Sequence, residues 1–399
     1  MSTEQIEAAA VMQGFPPRPE ARITHENWDR PPHNRWAFSN VRQVLPTRAV
    51  PRGEGAPSAL PCEDHDLTGL GFTGPDGRKR TLGGFLDETF TDGFIVLRRD
   101  AILYERYMGH FGRRSLHLSQ SVAKSVVGTV AGILIHQGRI DPQAPLPTYV
   151  PELAACGYAD ATLADVLDMR SGVRFNEDYT DPESDVSQID FAAGWKPARP
   201  GKFTSVYDLA LTLPKERDHG GAFQYRSIET DMIGWACERA TDTHLCDLVS
   251  ELVWQPMGAE QDACFTVDRA GTGLADGGFN ASLRDYARFG LLYCNGGKRE
   301  GRQVVPAAWV EACRYQGDVS AFGADYTQAL PGGAYTRQWW VRDPKRGVIM
   351  ARGVFGQVIY VDPTRNLVIV KLSTWPDFTN LDRFLLTLAA IDAVAAEVS

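Results

Sequence analysis

The chain predicts an α+β fold, in which both ends of the sequence build an antiparallel sheet flanked by helices and an all-helical region is inserted between them. Three observations predict it. The run FIVLRRDAILYERYM, Phe94 to Met108, reads as two strands joined at Arg98-Arg99-Asp100. A second hairpin lies near the other end, where Gln357 to Val361 and Leu367 to Leu372 flank the turn Asp362-Pro363-Thr364-Arg365-Asn366, and a helix over roughly Asn380 to Val398 follows to cover the sheet. From about 156 to 265, helical patterns such as Leu163 to Met169 and Asp231 to Glu238 alternate with polar loops. Strands at both ends with helices between them make a sheet domain carrying an insertion.

In chain order, residues 1–60 read as an N-terminal extended arm, rich in Pro and Arg and held to the surface by the aromatics of Trp28-Asp29-Arg30-Pro31-Pro32-His33-Asn34-Arg35-Trp36. Residues 61–155 and 266–399 read as the sheet domain, and 156–265 as the helical domain. The N-terminus, MSTEQIEAAAVMQG, shows no basic region followed by an apolar one, and no apolar run reaches about 18 residues, so a cytoplasmic protein with no membrane partner is expected. A net charge of −9 argues against a nucleic-acid partner, because phosphate binding calls for clustered Lys and Arg. The 7 cysteines are odd in number and scattered with no Cys-x-x-Cys pair, which fits free thiols in a reducing compartment and implies no metal. No cofactor is expected. The oligomeric state stays open, a homodimer included.

Chemistry concentrates at Ser121-Val122-Ala123-Lys124. The run through Gly128, Val130, Gly132, Ile133, Leu134 and Ile135 reads as a small-residue, apolar helix ending before Gly138. Residues three apart share a helix face, so the Ser121 hydroxyl and the Lys124 amine can meet. Ser-x-x-Lys alone is a short pattern that chance supplies readily. Here, however, the lysine sits among small and apolar residues, and a buried lysine without a task is rare. An ammonium with little water around it loses its proton more readily, which would let Lys124 take the serine proton.

A serine hydrolase of this kind needs a second acid-base group for the leaving atom. Tyr225-Arg226-Ser227 and Tyr293-Cys294-Asn295 both offer a tyrosine. Tyr293 closes an apolar helix from Asp285, ahead of Gly296-Gly297, and reads as core. Tyr225 follows the loop Gly220-Gly221-Ala222-Phe223-Gln224 and precedes a helix near Ser227, a loop-to-helix junction suited to a catalytic side chain.

With those residues, the chain resembles the 6-aminohexanoate-dimer hydrolases, within the serine β-lactamase and penicillin-binding-protein superfamily. The resemblance covers nearly the whole chain and is carried by Pro31 to Phe38, Val150-Pro151-Glu152-Leu153-Ala154, Asn176-Glu177-Asp178-Tyr179, Ala193-Gly194-Trp195, Phe223-Gln224-Tyr225, Tyr335 to Trp340 and Ile369 to Ser373. It implies a serine β-lactamase-like fold, with Ser121 as acylated nucleophile, Lys124 as its proton partner and Tyr225 as general acid and base. It also implies that Tyr179 bonds the scissile amide, that Asp190 holds the substrate's free ammonium, and that Asp276 tunes amide activity. Glu177 and Asp178 read as capping or surface acids.

One departure stands out. The superfamily's Lys-Thr-Gly strand is replaced by Arg352-Gly353-Val354. The glycine is retained, and the backbone N–H groups of Val354 and Ser121 could form an oxyanion hole. The lysine and hydroxyl that grip a β-lactam carboxylate are missing, which leaves Arg352 either as a substitute for that charge or as a structural arginine. The expected function is a serine hydrolase that cleaves linear amides of ω-amino acids through an acyl-serine, acting on a small-molecule substrate. The alternatives are a carboxylesterase for short-chain acyl esters and, in another class, a non-catalytic penicillin-binding-like binding module.

Overall fold

The computed structural model describes residues 10–398; the first nine residues of the arm, including most of the segment read for a leader, lie outside them. In chain order the main strands are β1 (Thr47–Val50), β2 (Thr91–Arg98), β3 (Ala101–Tyr107), β4 (His117–Leu118), β5 (Ala263–Thr266), β6 (Phe279–Ala281), β7 (Ala334–Thr336), β8 (Trp339–Asp343), β9 (Val348–Gly353), β10 (Gln357–Asp362) and β11 (Leu367–Ser373). A 7-stranded antiparallel sheet runs β7-β8-β9-β10-β11-β2-β3, so the last strand of the chain pairs with the first long one, Ile369 opposite Val96. Both expected hairpins are present. The turn after β2 places Arg99 and Asp100 at φ 51 and 67, the left-handed pair that a two-residue hairpin requires.

The helices that matter for the site are α1 (Val122–His136), α2 (Asp185–Ala192), α3 (Ile228–Thr241), α4 (Leu283–Cys294), α5 (Ala307–Tyr315) and α6 (Leu381–Glu397). The side chain of Asn380 caps α6 by accepting the N–H of Arg383, and α4 packs on β10, β11 and β2. Among the described residues no helix is long and apolar enough to cross a membrane.

A second sheet, β1-β5-β6-β4, corrects two expectations. The arm is not merely extended, because Thr47–Val50 pairs with Ala263–Thr266. The region to residue 265 is not wholly helical either, because β5 begins inside it. These strands are two to four residues long, and β4, β5 and β6 are buried throughout, so they carry no period-two alternation to read. The aromatics do hold the arm, as expected: Trp28 is buried, its indole N–H donates to the Trp195 carbonyl at 2.9 Å, and the two rings meet edge-on.

Lys371 on β11 is fully buried; its amine donates to Ser373 Oγ and to the Thr89 carbonyl and lies over the Phe85 and Trp375 rings. Burial pulls its pKa from 10.5 down to about 7, against the attraction of Asp92. Between these two values the unfolded chain binds the proton that the folded chain has released, so stability rises with pH across that window. Lys371→Met, which conserves volume, should abolish this contribution. Urea unfolding at pH 7 and pH 9 should show wild type gaining on the order of 2 kcal/mol more than the variant; an equal gain would mean that Lys371 titrates normally.

Candidate active site

Ser121 stands at the N-cap of α1, directly after Gln120, whose φ of 51 bends the chain out of β4 and into the helix. Such a conformation is costly for a residue with a side chain, and strain of this kind gathers where a reactive group is aimed. The helix behind it is buried from Val122 to Leu134. One of its two glycines is a clear packing requirement: a Cβ on Gly132 would stand 2.2 Å from the Trp309 ring of α5. Gly353, at the end of β9, meets the nucleophile turn in the same way, since a Cβ there would lie 2.4 Å from the Ser119 carbonyl and 3.1 Å from Ser121 N.

The helical spacing does bring serine and lysine together. Lys124 is buried, and its Nζ donates to Ser121 Oγ at 3.1 Å and to the Asp276 carbonyl at 2.6 Å, with Asp276 Oδ2 at 3.7 Å. Burial alone would lower its pKa, but Tyr225, Asp276, Glu177 and Asp231 together outweigh burial and raise it. This overturns the expectation of an easily deprotonated lysine: desolvation acts here within a ring of acids.

Tyr225 lies beside the lysine, whose Nζ is over its ring, 5.3 Å from the centroid. Its ring stacks on Trp340 and meets Tyr335 edge-on, and its backbone N–H donates to Tyr326 Oη at 2.9 Å. Burial raises its pKa, opposed by Lys124 and by hydrogen bonding toward Ser121 and Lys124. Tyr293 is core, its hydroxyl 2.8 Å from Thr129 Oγ1.

Two cavities meet at Ser121. The smaller, about 160 Å³, is walled by Asp29, Gln120, Asp190, Trp195, Lys196 and Asp276. The larger, about 470 Å³, is walled by Tyr225, Tyr326, Trp340, Arg352 and Phe384 with Glu177. Tyr179, stacked on Phe378 at 5.7 Å, borders both, as do Ser121 and Val354. The N–H groups of Ser121 and Val354 have no hydrogen-bond partner among the described residues.

The model of the family described as Beta-lactamase matches residues 80–393. The chain belongs to that family. Within it, the chain is 41% identical over 366 residues to the 6-aminohexanoate-dimer hydrolase of Paenarthrobacter ureafaciens, covering 91% of each chain. A Bacillus anthracis structure assigned to the 6-aminohexanoate-dimer hydrolases superposes with a TM-score of 0.84 at 27% identity, over 94% of this chain and 97% of that one. A family VIII carboxylesterase, at 18% identity, TM-score 0.58 and coverage of 78% and 95%, shares the fold. The β-lactamase-like α+β fold expected from the sequence is thus the fold of this chain.

Against this family background, the geometry refines the reading of Asp190 and Glu177 and adds Asp231. Asp190, on α2, lines the smaller cavity, and its carboxylate is already 2.5 Å from Lys196 Nζ. Burial pushes its pKa up to about 6 against the pull of that lysine.

Glu177, read as a capping or surface acid, is a half-buried hub that does cap a helix, α3. It accepts the Ser227 N–H at 2.9 Å, the Ser227 hydroxyl at 2.6 Å and the Tyr179 hydroxyl at 2.7 Å. A carboxylate at the N-terminus of α3 is favourably placed and fixes the chain two residues beyond Tyr225. Its neighbour Asp178 bonds only locally, its carboxylate accepting from Thr180 and its backbone meeting Asn176 and Asp181.

Asp231 was missed. Its Oδ1 accepts the N–H groups of Ala275 and Asp276 at 2.9 and 3.3 Å, and so holds the carbonyl that receives Lys124. Burial and Asp276 push its pKa well up. The sequence signal for it is weak, because Glu229 and Thr230 precede it in the same first turn, where acids are ordinary.

Proposed function

We propose that the protein hydrolyses linear amides of ω-amino acids, of the 6-aminohexanoate-dimer type, through an acyl-Ser121 intermediate. The observation that carries this reading is the Ser121–Lys124 hydrogen bond at the junction of two cavities, one bordered by Asp29 and Asp190 and the other by aromatic rings. A linear substrate can extend to either side of such a junction, its cationic acyl half toward the carboxylates. The 41% identity to a 6-aminohexanoate-dimer hydrolase supports the same substrate class. The seven unpaired cysteines fit a reducing, cytoplasmic setting.

In this mechanism Ser121 Oγ attacks the amide carbonyl, whose oxygen moves between the N–H groups of Ser121 and Val354. Lys124 and Tyr225 each bear on the other's proton affinity, and attack requires one of the two to have lost a proton. With Lys124 held as an ammonium, the serine proton passes to the Tyr225 oxygen. The same phenol proton then goes to the departing amine, while Tyr179, whose own hydroxyl proton is given to Glu177, accepts from the N–H of that nitrogen. Water, deprotonated by Tyr225, releases the acyl group.

Asp190→Asn tests the ammonium contact. Hydrolysis of an ω-aminoacyl amide should fall about fivefold to thirtyfold in kcat/KM, with the loss shrinking as salt is raised and uncharged esters nearly untouched. Because Lys196 already occupies this carboxylate, the ammonium must share or displace it. Unchanged amide kinetics would take Asp190 out of the substrate site.

A further inference from the structure

Arg352 is the cation that the mechanism leaves unused. It occupies β9 one residue before Gly353, so its side chain enters the larger cavity, the one that holds Tyr225. Its guanidinium carbon sits 3.5 Å from the Phe384 ring centroid and 4.8 Å from that of Trp340. Stacking engages the faces of the planar group and leaves its five N–H donors, which point outward in the plane, for other partners. Among the described residues it forms no hydrogen bond and no ion pair. The other acids of this cavity are committed or remote: Glu177 is held by Ser227 and Tyr179, and Asp325 lies at the exposed mouth. Burial lowers the pKa of the guanidinium to about 10, and Tyr225 is the one neighbour that opposes this. A half-buried cation stacked between two rings with no anion beside it is a cost that folding normally avoids. Tolerated beside a nucleophile, it marks a place where the anion arrives with the substrate.

We propose that Arg352 determines specificity by binding a carboxylate on the leaving-group half of the substrate. The side is set by Tyr225, which delivers the proton to the leaving amine and faces the same cavity, so the departing half lies there. An aliphatic spacer would run along Trp340, Tyr326 and Phe384, and the planar fork of the guanidinium suits a terminal carboxylate held by two hydrogen bonds. The inference rests on the amidase reading for what leaves, but not for the anion site itself.

The test therefore has two arms on the full chain. In the first, sodium hexanoate and hexanamide compete with p-nitrophenyl acetate for wild type, Arg352→Gln and Arg352→Lys. Wild type should be inhibited at about tenfold lower concentration by hexanoate than by hexanamide. Arg352→Gln should lose that discrimination, and Arg352→Lys should keep part of it. In the second, kcat/KM for 6-aminohexanoate dimer is divided by that for its terminal carboxamide, a ratio expected near ten or above in wild type and near one in Arg352→Gln. Equal inhibition by the two competitors in wild type, or discrimination that survives in Arg352→Gln, overturns the proposal even if the dimer is cleaved. A chain that cleaves neither amide but discriminates hexanoate through Arg352 upholds the anion site and refutes the amidase reading. Should Arg352→Gln not fold, wild type and Arg352→Lys decide it, since a lysine variant that discriminates like wild type would reject a role for the bidentate fork.

Discussion

Ser121→Ala is expected to yield a folded protein with no hydrolytic activity, kcat on both amides and p-nitrophenyl esters falling roughly 10⁴-fold or more. The fold should survive because Ser121 sits at a helix terminus without a side-chain cap, and Lys124 keeps its stronger contact, the Asp276 carbonyl. Lys124→Ala should lose activity to a similar extent, and the double variant should be no worse than either single one, since residues acting as one unit are not additive. A fluorophosphonate label that still attaches to the Ser121→Ala protein would place the nucleophile elsewhere. A Lys124→Ala enzyme with most of its activity would make the lysine structural.

Tyr225→Phe should separate amides from esters. The substitution removes one hydroxyl and keeps the stack on Trp340, the edge contact with Tyr335 and the backbone bond to Tyr326. An amine is a poor leaving group that must be protonated, whereas p-nitrophenolate leaves unaided. Amide turnover should therefore fall about 10²- to 10⁴-fold and p-nitrophenyl ester turnover distinctly less. Equal losses would assign Tyr225 to acylation of every substrate. No loss would remove it from the chemistry, and Tyr293 could not replace it, being buried against Thr129.

What could be read from the chain followed the range of the interactions. Ser121 and Lys124 are three residues apart on one helix, and each long hairpin closes over a short turn, so these features are written locally. The second sheet pairs Thr47–Val50 with Ala263–Thr266, more than two hundred positions away, through strands too short for a pattern. Glu177 has meaning only through Ser227 and Tyr179, and a carboxylate in an apparent loop gives no hint of such partners. The proton affinity of Lys124 went the opposite way for the same reason. Its burial was legible in the apolar run around it, but the acids that outweigh burial come from three distant segments. Asp231 follows Glu229 and Thr230 at the start of its helix, so it does not stand out as Lys124 does in its apolar run.

Hydrolysis of 6-aminohexanoate dimer, followed by amine release together with intact-protein mass, tests the central claim most directly. The expected result is two molecules of 6-aminohexanoate per dimer, with one 6-aminohexanoyl unit held transiently on Ser121. Hydrolysis of p-nitrophenyl esters at Ser121 with no amine released from the dimer would contradict it and leave a carboxylesterase.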